Sequence, residues 1–302
     1  IWCLLTVGIV VGAIASAISL KGLDGITDPA ALEPALLAFM AKVALAVLAL
    51  TLVATWGMEP PNQGGRLSRA ADREDAITLA VAWRLITSSR QVLVFFCFLL
   101  AFTLAVFLQD PILESYGAEV FALPIAATAG LSAIWGVGTL LGLLLAGFVL
   151  VPRLGKFRCA HLGCQLILVS LLLLVAVGFS ADPQLLRLVL FGFGLASGIG
   201  TNATLVLMLD LTLPQVAGTF VGVWGLAQAY SRAAGKLLGG GLLDLARGLH
   251  PAGGPLSAFA AVLLVEAAIA ALALVLLSRV NLRQFREDTG RSLDRVLAVE
   301  LG

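Results

Sequence analysis

The chain has 302 residues, 60% of them apolar and 12% charged, with a mean hydropathy of +1.03. So few ionisable groups cannot coat a water-soluble globule of this size, so the sequence reads as an all-α polytopic membrane protein. The balance of 19 basic against 18 acidic residues gives no reason to expect nucleic acid, whose binding needs a clustered basic face.

A bilayer core about 30 Å thick takes about 20 apolar residues of helix, each adding about 1.5 Å. On that measure eight spans are predicted, roughly 1–20, 34–56, 92–109, 125–151, 160–179, 187–208, 215–236 and 255–279. The first opens within the run "IWCLLTVGIVVGAIASAISL", with Ile rather than Met, so the sequence is expected to start inside a larger protein. No basic leader with a cleavage site marks a signal peptide.

The second span carries Lys42. The longest polar interval, 57–91, follows it and divides the chain two plus six. Its first half is rich in Pro, Gly and charge. In its second half Ala76 to Leu85 shows helical apolar spacing, and Asp72, Glu74 and Asp75 stand where a helix N-terminus favours acids. A surface helix at the membrane face is expected there.

The third span runs into "FLQDPILESYGAEVF", residues 107–121. A residue before proline is pushed out of the helical region, and proline suits the first turn of a new helix. Asp110 is therefore predicted to cap a helix that starts at Pro111, with Glu114 one turn on. The alternative makes Gln109, Asp110 and Glu114 a polar wall of an interior cavity, since acids at membrane depth are costly and mark a pathway or ligand.

Beyond the basic turn "VPRLGKFR", residues 151–158, "CAHLGC" sets Cys159, His161 and Cys164 close together, but the spacing fits no zinc pattern and no metal site is expected. Cys3 and Cys97 fall inside apolar runs and read as small core residues. Glycines recur four apart at Gly138 and Gly142, Gly194 and Gly198, Gly218 and Gly222, and Gly235 and Gly239, a spacing that lets membrane helices approach closely. "GLASGIGTNATL" adds Thr201, Asn202 and Thr204, for interhelical bonds or a cavity wall.

In "QAYSRAAGKLLGG", Arg232 and Lys236 are four apart and share a helix face. Lys236 is expected to snorkel to the nearer surface, while Arg232 is deeper and needs an acid, a carbonyl or an acidic ligand group. Glu266, near the middle of the last span, is expected to form a structural ion pair with Lys42. The tail "NLRQFREDTGRSLDRVLAVELG" is expected to be an amphipathic helix.

Three basic clusters, in 57–91, 152–159 and 279–295, are separated by even numbers of crossings, so the positive-inside rule puts all three on the cytoplasmic side. No phosphate loop, HExxH, nucleophile elbow or paired CxxC occurs, and no enzyme activity is expected.

Two spans, a long basic interval and six more spans resemble a major facilitator superfamily protein lacking its first four of twelve helices, such transporters being built from two six-helix halves. On that resemblance 1–56 holds the last two helices of a truncated N-terminal half, 57–91 is a cytoplasmic linker, 92–280 is the C-terminal half and 281–302 is a cytoplasmic tail. The turn at 151–158 is similar to the superfamily's basic turn, with Pro152 where an acid is usual.

"LQDPILESYGAEVF", "AGTFVGVWGLAQAYSRAAGKLLGGGLLD" and "QFREDTGRSLDRVL" further resemble the PucC/LhaA, or bacteriochlorophyll delivery, family, the tail being most similar to its cyanobacterial branch. Ser115 and Ala118 depart from the family's "EPYGG" form.

This resemblance implies a thylakoid or photosynthetic cytoplasmic membrane protein that assists assembly of light-harvesting complexes by binding or delivering chlorophyll or bacteriochlorophyll. Its partners would be lipid, pigment and light-harvesting or photosystem subunits. Gln109, Asp110, Glu114, Asn202, Arg232 and Lys236 are then the pigment-cavity candidates. Oxygen or nitrogen from Gln109, Asp110, Glu114, Asn202 or His161 would ligate magnesium or hold its water, and Arg232 would donate to a pigment carbonyl. The rival reading is a proton-coupled transporter of a small organic anion, with Asp110 or Glu114 titrating and Arg232 holding the substrate.

Overall fold

The computed structural model describes residues 2–23, 29–56, 90–211, 217–249 and 254–281, all helix and connecting turn with no strand among them. The interval expected to hold a surface helix, 57–89, and the expected amphipathic tail, 282–302, lie outside the described residues. The long helices are α1 (Trp2–Leu20), α2 (Pro29–Thr55), α3 (Arg90–Phe107), α5 (Ile125–Leu145), α6 (Lys156–Ser180), α7 (Pro183–Leu211), α8 (Ala217–Leu249) and α9 (Gly254–Ser278), with a short α4 (Leu113–Phe121) between the third and the fifth.

Among the described residues six helices are long and apolar enough to cross a membrane: Leu32–Thr55, Arg90–Phe107, Ile125–Leu154, Lys156–Ser180, Pro183–Leu209 and Gly254–Ser278. Each falls on a predicted span. They are apolar nearly all round, as lipid-embedded helices are; Phe148 and Phe179 stand 80% and 74% exposed on the outer surface.

The helices pack in the spatial order α1, α5, α7, α6, α9, α3, α8, with α8 also reaching α9. Without a hydrophobic force between helices in lipid, close packing depends on small residues. At the α5–α7 seam a Cβ on Gly138 or Gly142 would run into the Phe191 or Leu195 carbonyl, and one on Gly194 or Gly198 into the Trp135 or Thr139 carbonyl. Both expected glycine pairs of this seam thus meet each other's backbone. Gly163 of α6 touches Gly200 of α7 in the same way. Gly222, by contrast, has nothing within 4 Å of where a Cβ would be.

Past the seam, α5 loosens into one π-turn, Ala146–Leu150, before Val151–Leu154 completes the span. It ends at Gly155, whose φ of +80° suits glycine. Three phenylalanines stack along α3, Phe95 on Phe98 and Phe98 on Phe102, both at 5.9 Å between ring centres.

The corner between α3 and α4 differs from expectation. α3 ends at Phe107, and α4 starts at Leu113 with no side chain capping it. Asp110 is therefore not an N-cap. The intervening turn carries its own backbone bonds, from Asp110 N–H to the Phe107 carbonyl (3.3 Å) and from Ile112 and Leu113 N–H to the Gln109 carbonyl (both 3.0 Å). Those carbonyls satisfy the donors a cap would have taken, and Pro111 has none to offer.

α8 also differs: it runs 33 residues, about 50 Å at 1.5 Å each, where the sequence predicted an end near 236. The glycines at 239–241 do not break it. Gly239 lies against the Leu108 carbonyl and the Pro111 ring, where any Cβ would clash, so tertiary contact outweighs glycine's poor helix propensity.

Leucine at Gly142 or Gly198 should force the α5–α7 seam apart and cost at least about 1–3 kcal/mol, as overpacking does. Gly222→Ala should change stability by no more than about 1 kcal/mol. Unfolding titrations in mixed micelles check both.

Candidate functional site

Two polar groupings interrupt the apolar interior. The first is a narrow cleft of about 40 Å³ where α1, α3, α5, α7 and α8 converge. Arg232 reaches it from α8, with its guanidinium carbon 4.4 Å from the centre of the Phe107 ring. Phe107 in turn meets Trp135 of α5 edge-on at 6.0 Å. A cation on an aromatic face is stabilised by about 0.5–2 kcal/mol, more as water is excluded.

Arg232 therefore sits among five helices, as its depth in the sequence suggested, and the Asp110 carboxylate acts on it through the field. Two hydroxyls of the lining turn back on their own helices, Thr139 to the Trp135 carbonyl (2.9 Å) and Ser197 to the Phe193 carbonyl (2.7 Å). The buried indole nitrogen of Trp135 has no hydrogen-bond partner. A ligand acceptor entering the cleft would find this donor together with the Arg232 cation.

Asn202 lies beside this cleft and braces the π-turn: its amide donates to the Leu143 carbonyl at 3.3 Å, and Gly147 leaves it room. Its buried side-chain oxygen makes no hydrogen bond.

The second grouping is the α3–α4 corner. Gln109 is 2% exposed; its backbone N–H donates to the Glu266 carboxylate at 3.1 Å, and its amide donates back to the Val106 carbonyl at 3.2 Å. Asp110 pairs with Lys236 at 3.7 Å, both side chains partly exposed. Glu114 is exposed and Gln109 points inward, so the three corner residues do not form one wall. Tyr116 pins the corner down, donating to the Leu174 carbonyl of α6 at 2.7 Å and packing on Phe121 and Phe259. Burial pushes its hydroxyl up to about 12, so it stays a donor at any physiological pH.

The expected Lys42–Glu266 ion pair is not formed. Lys42 is exposed on α2, beside a groove of about 1070 Å³ between α1 and α2, whereas Glu266 is fully buried on α9 against Gln109. No described residue of α2 is buried, so its cation stays at an open surface. In "CAHLGC", His161 directs Nδ1 to the Phe157 carbonyl at 3.1 Å. Among the described residues no three His, Cys, Asp or Glu side chains gather as a metal site would need.

Sequence reasoning missed Trp135, Phe107 and the pair Glu119–Arg247. A tryptophan deep in a span was a usable signal, because its N–H prefers the interface. The ion pair joins positions 128 apart and left no sequence sign. One Arg247 nitrogen, Nη2, donates to both carboxylate oxygens of Glu119 at 2.7 and 2.8 Å, and Arg247 also lies 5.5 Å from the Phe259 ring. Both partners are about two-fifths exposed, so a double-mutant cycle on Glu119→Gln and Arg247→Gln should return a coupling of about 0.2–1 kcal/mol, falling with added salt.

Comparison with known proteins fits these features. The family described as "PUCC protein" matches residues 1–285. The chain is 32% identical over 217 residues to the "Bacteriochlorophyll synthase 44.5 kDa chain" of Rhodobacter capsulatus, covering 70% of this chain and 49% of that one. It is 31% identical over 204 residues to an "Uncharacterized protein in puhA-bchM intergenic region" of the same organism (66% and 41% covered), and 27% identical over 244 residues to "Protein PucC" of Cereibacter sphaeroides (80% and 52%). The chain spans about half the length of these curated relatives. No solved structure matches it. An apolar helical bundle with a family match along nearly its whole length leaves one assignment: the chain belongs to the PucC protein family.

Proposed function

We propose that this protein serves a photosynthetic membrane by assisting the assembly of light-harvesting complexes, binding or handing over chlorophyll or bacteriochlorophyll rather than catalysing a reaction. The observation that carries the reading is family membership, together with a relative named for bacteriochlorophyll synthesis. On this reading the helices described here correspond to helices five to twelve of a twelve-helix major facilitator arrangement. The packing of α1 on α5, and a central cleft shared by α1 and the helices after the polar interval, support that correspondence. The basic intervals and the tail then face the cytoplasm.

Within the cleft, Phe107 and Trp135 would offer ring faces to a macrocycle, and Arg232 and the Trp135 N–H would donate to its carbonyls. Asn202 would ligate magnesium with its side-chain oxygen or hold a magnesium-bound water. A volume of about 40 Å³ holds water, not a porphyrin-sized ring. Pigment entry therefore requires α1 and α8 to part from α5 and α7, as alternating-access proteins rock one bundle against another. The same occluded, arginine-bearing cleft favours a second reading, a proton-coupled transporter of a small organic anion held by Arg232.

The protein gently purified from photosynthetic membranes should carry pigment absorbance and antenna polypeptides, and Arg232→Ala should reduce the pigment several-fold while the helical content holds. Pigment-free protein that drives uptake of an organic anion into vesicles under a pH gradient would decide for the transporter. Unimpaired antenna assembly with both Asp110→Ala and Arg232→Ala would remove the pigment role from this cleft.

A further inference from the structure

The interior contains a carboxyl group for which the pigment reading has no use. Glu266 is the thirteenth of 25 residues in α9 and is fully buried. One oxygen accepts the Gln109 backbone N–H; the other, Oε2, has no hydrogen-bond partner. The side-chain oxygen of Gln109, in the same corner, is also buried without a partner. Amide reversal would supply a donor at that position only by turning the Gln109 side-chain oxygen onto the Val106 carbonyl, one acceptor against another. Two buried acceptors thus share one corner where the Leu108 N–H, the other backbone donor beside Glu266, is already given to the Leu104 carbonyl at 3.0 Å, and leaving each unmade costs about 1–3 kcal/mol.

A cation does not supply the deficit. The buried face of α9 around Glu266 is Phe259, Val262, Leu263, Ala267 and Ala270, which offers none of the six or more oxygens a hard cation takes. On the elements packed against α9, the charged groups are engaged elsewhere or face outward. Asp110 is with Lys236 and Glu119 with Arg247, Arg232 is over Phe107, and Arg90, Glu114 and Asp244 are exposed. On α6, Lys156 and Arg158 lie at the helix start, His161 is on its own helix carbonyl, and Cys164 is a buried thiol. An ionised carboxylate without a counter-charge at this depth is the costliest state available.

We propose that Glu266 is a proton-binding site, carrying a proton on Oε2 that it shares with the side-chain oxygen of Gln109. One proton removes the charge and provides the missing donor together. α9 then holds the α3–α4 corner through two hydrogen bonds to Gln109, one given and one received. The site stands apart from the pigment reading and survives its failure.

Infrared difference spectra of the full chain in bilayers, wild type minus Glu266→Gln, test it. The C=O stretch of a protonated carboxylic acid should appear at neutral pH, shift down in D2O and vanish in the variant. A carboxylate doublet in the difference spectrum, with no acid band, would overturn the proposal. Should the variant fail to fold, the carboxyl carbon shift of glutamate-labelled wild type by solid-state NMR decides equally: a neutral-acid shift for one buried glutamate supports the site, and only ionised shifts refute it.

Discussion

In this bundle, packing rests on the distance between α5 and α7. Lipid supplies no hydrophobic pressure between helices, so they attract only through contacts made at very short range. Gly138, Gly142, Gly194 and Gly198 let each backbone rest on the other's carbonyls. That approach sets Trp135 and Thr139 on one wall of the cleft and Ser197 and Thr201 on another. It also brings Asn202 to the Leu143 carbonyl just before the π-turn, as a second donor beside the Ala146 N–H.

The second organising feature is the corner at Pro111. A proline there ends one helix, yet the chain departs little from helical bonding, and the five-residue turn is braced on three sides. Gly239 of α8 lies against its backbone, Glu266 of α9 takes its Gln109 N–H, and Tyr116 anchors the following helix to α6. Charges that a single helix could not hold in lipid are placed where α8 and the corner meet. Lys236 and Arg247 point outward to Asp110 and Glu119, while Arg232, one turn before Lys236, points inward to an aromatic ring.

The family and the polar chemistry of the interior meet in that inward arginine. A member of a family whose relatives include one named for bacteriochlorophyll synthesis carries two donors in one cleft, the Arg232 guanidinium over the Phe107 ring and the unpartnered N–H of Trp135. The cleft is closed around them, so access and chemistry are separate properties of this bundle.

Six of the eight predicted spans were legible as helices long and apolar enough to cross a membrane, because apolar length is a local property: about twenty residues of Leu, Val, Ala and Phe can satisfy their backbone in lipid only as helix. The glycine seam was legible for the same reason, as a four-residue spacing, although not which pairs would meet; Gly138 and Gly142 found Gly194 and Gly198, while Gly222 faces open space. Gln109, Asp110, Lys236, Arg232 and Glu266 were visible as polar residues in the wrong solvent. Their partners were not, and Glu266 went to a backbone N–H rather than to Lys42. The amino-acid sequence by itself therefore determined which segments are apolar enough to cross a membrane and which side chains require a partner there. Tertiary structure alone decided the answers, because pairing across 128 or 157 residues depends on which helix faces pack, and helices that are apolar all round carry no local mark of that choice.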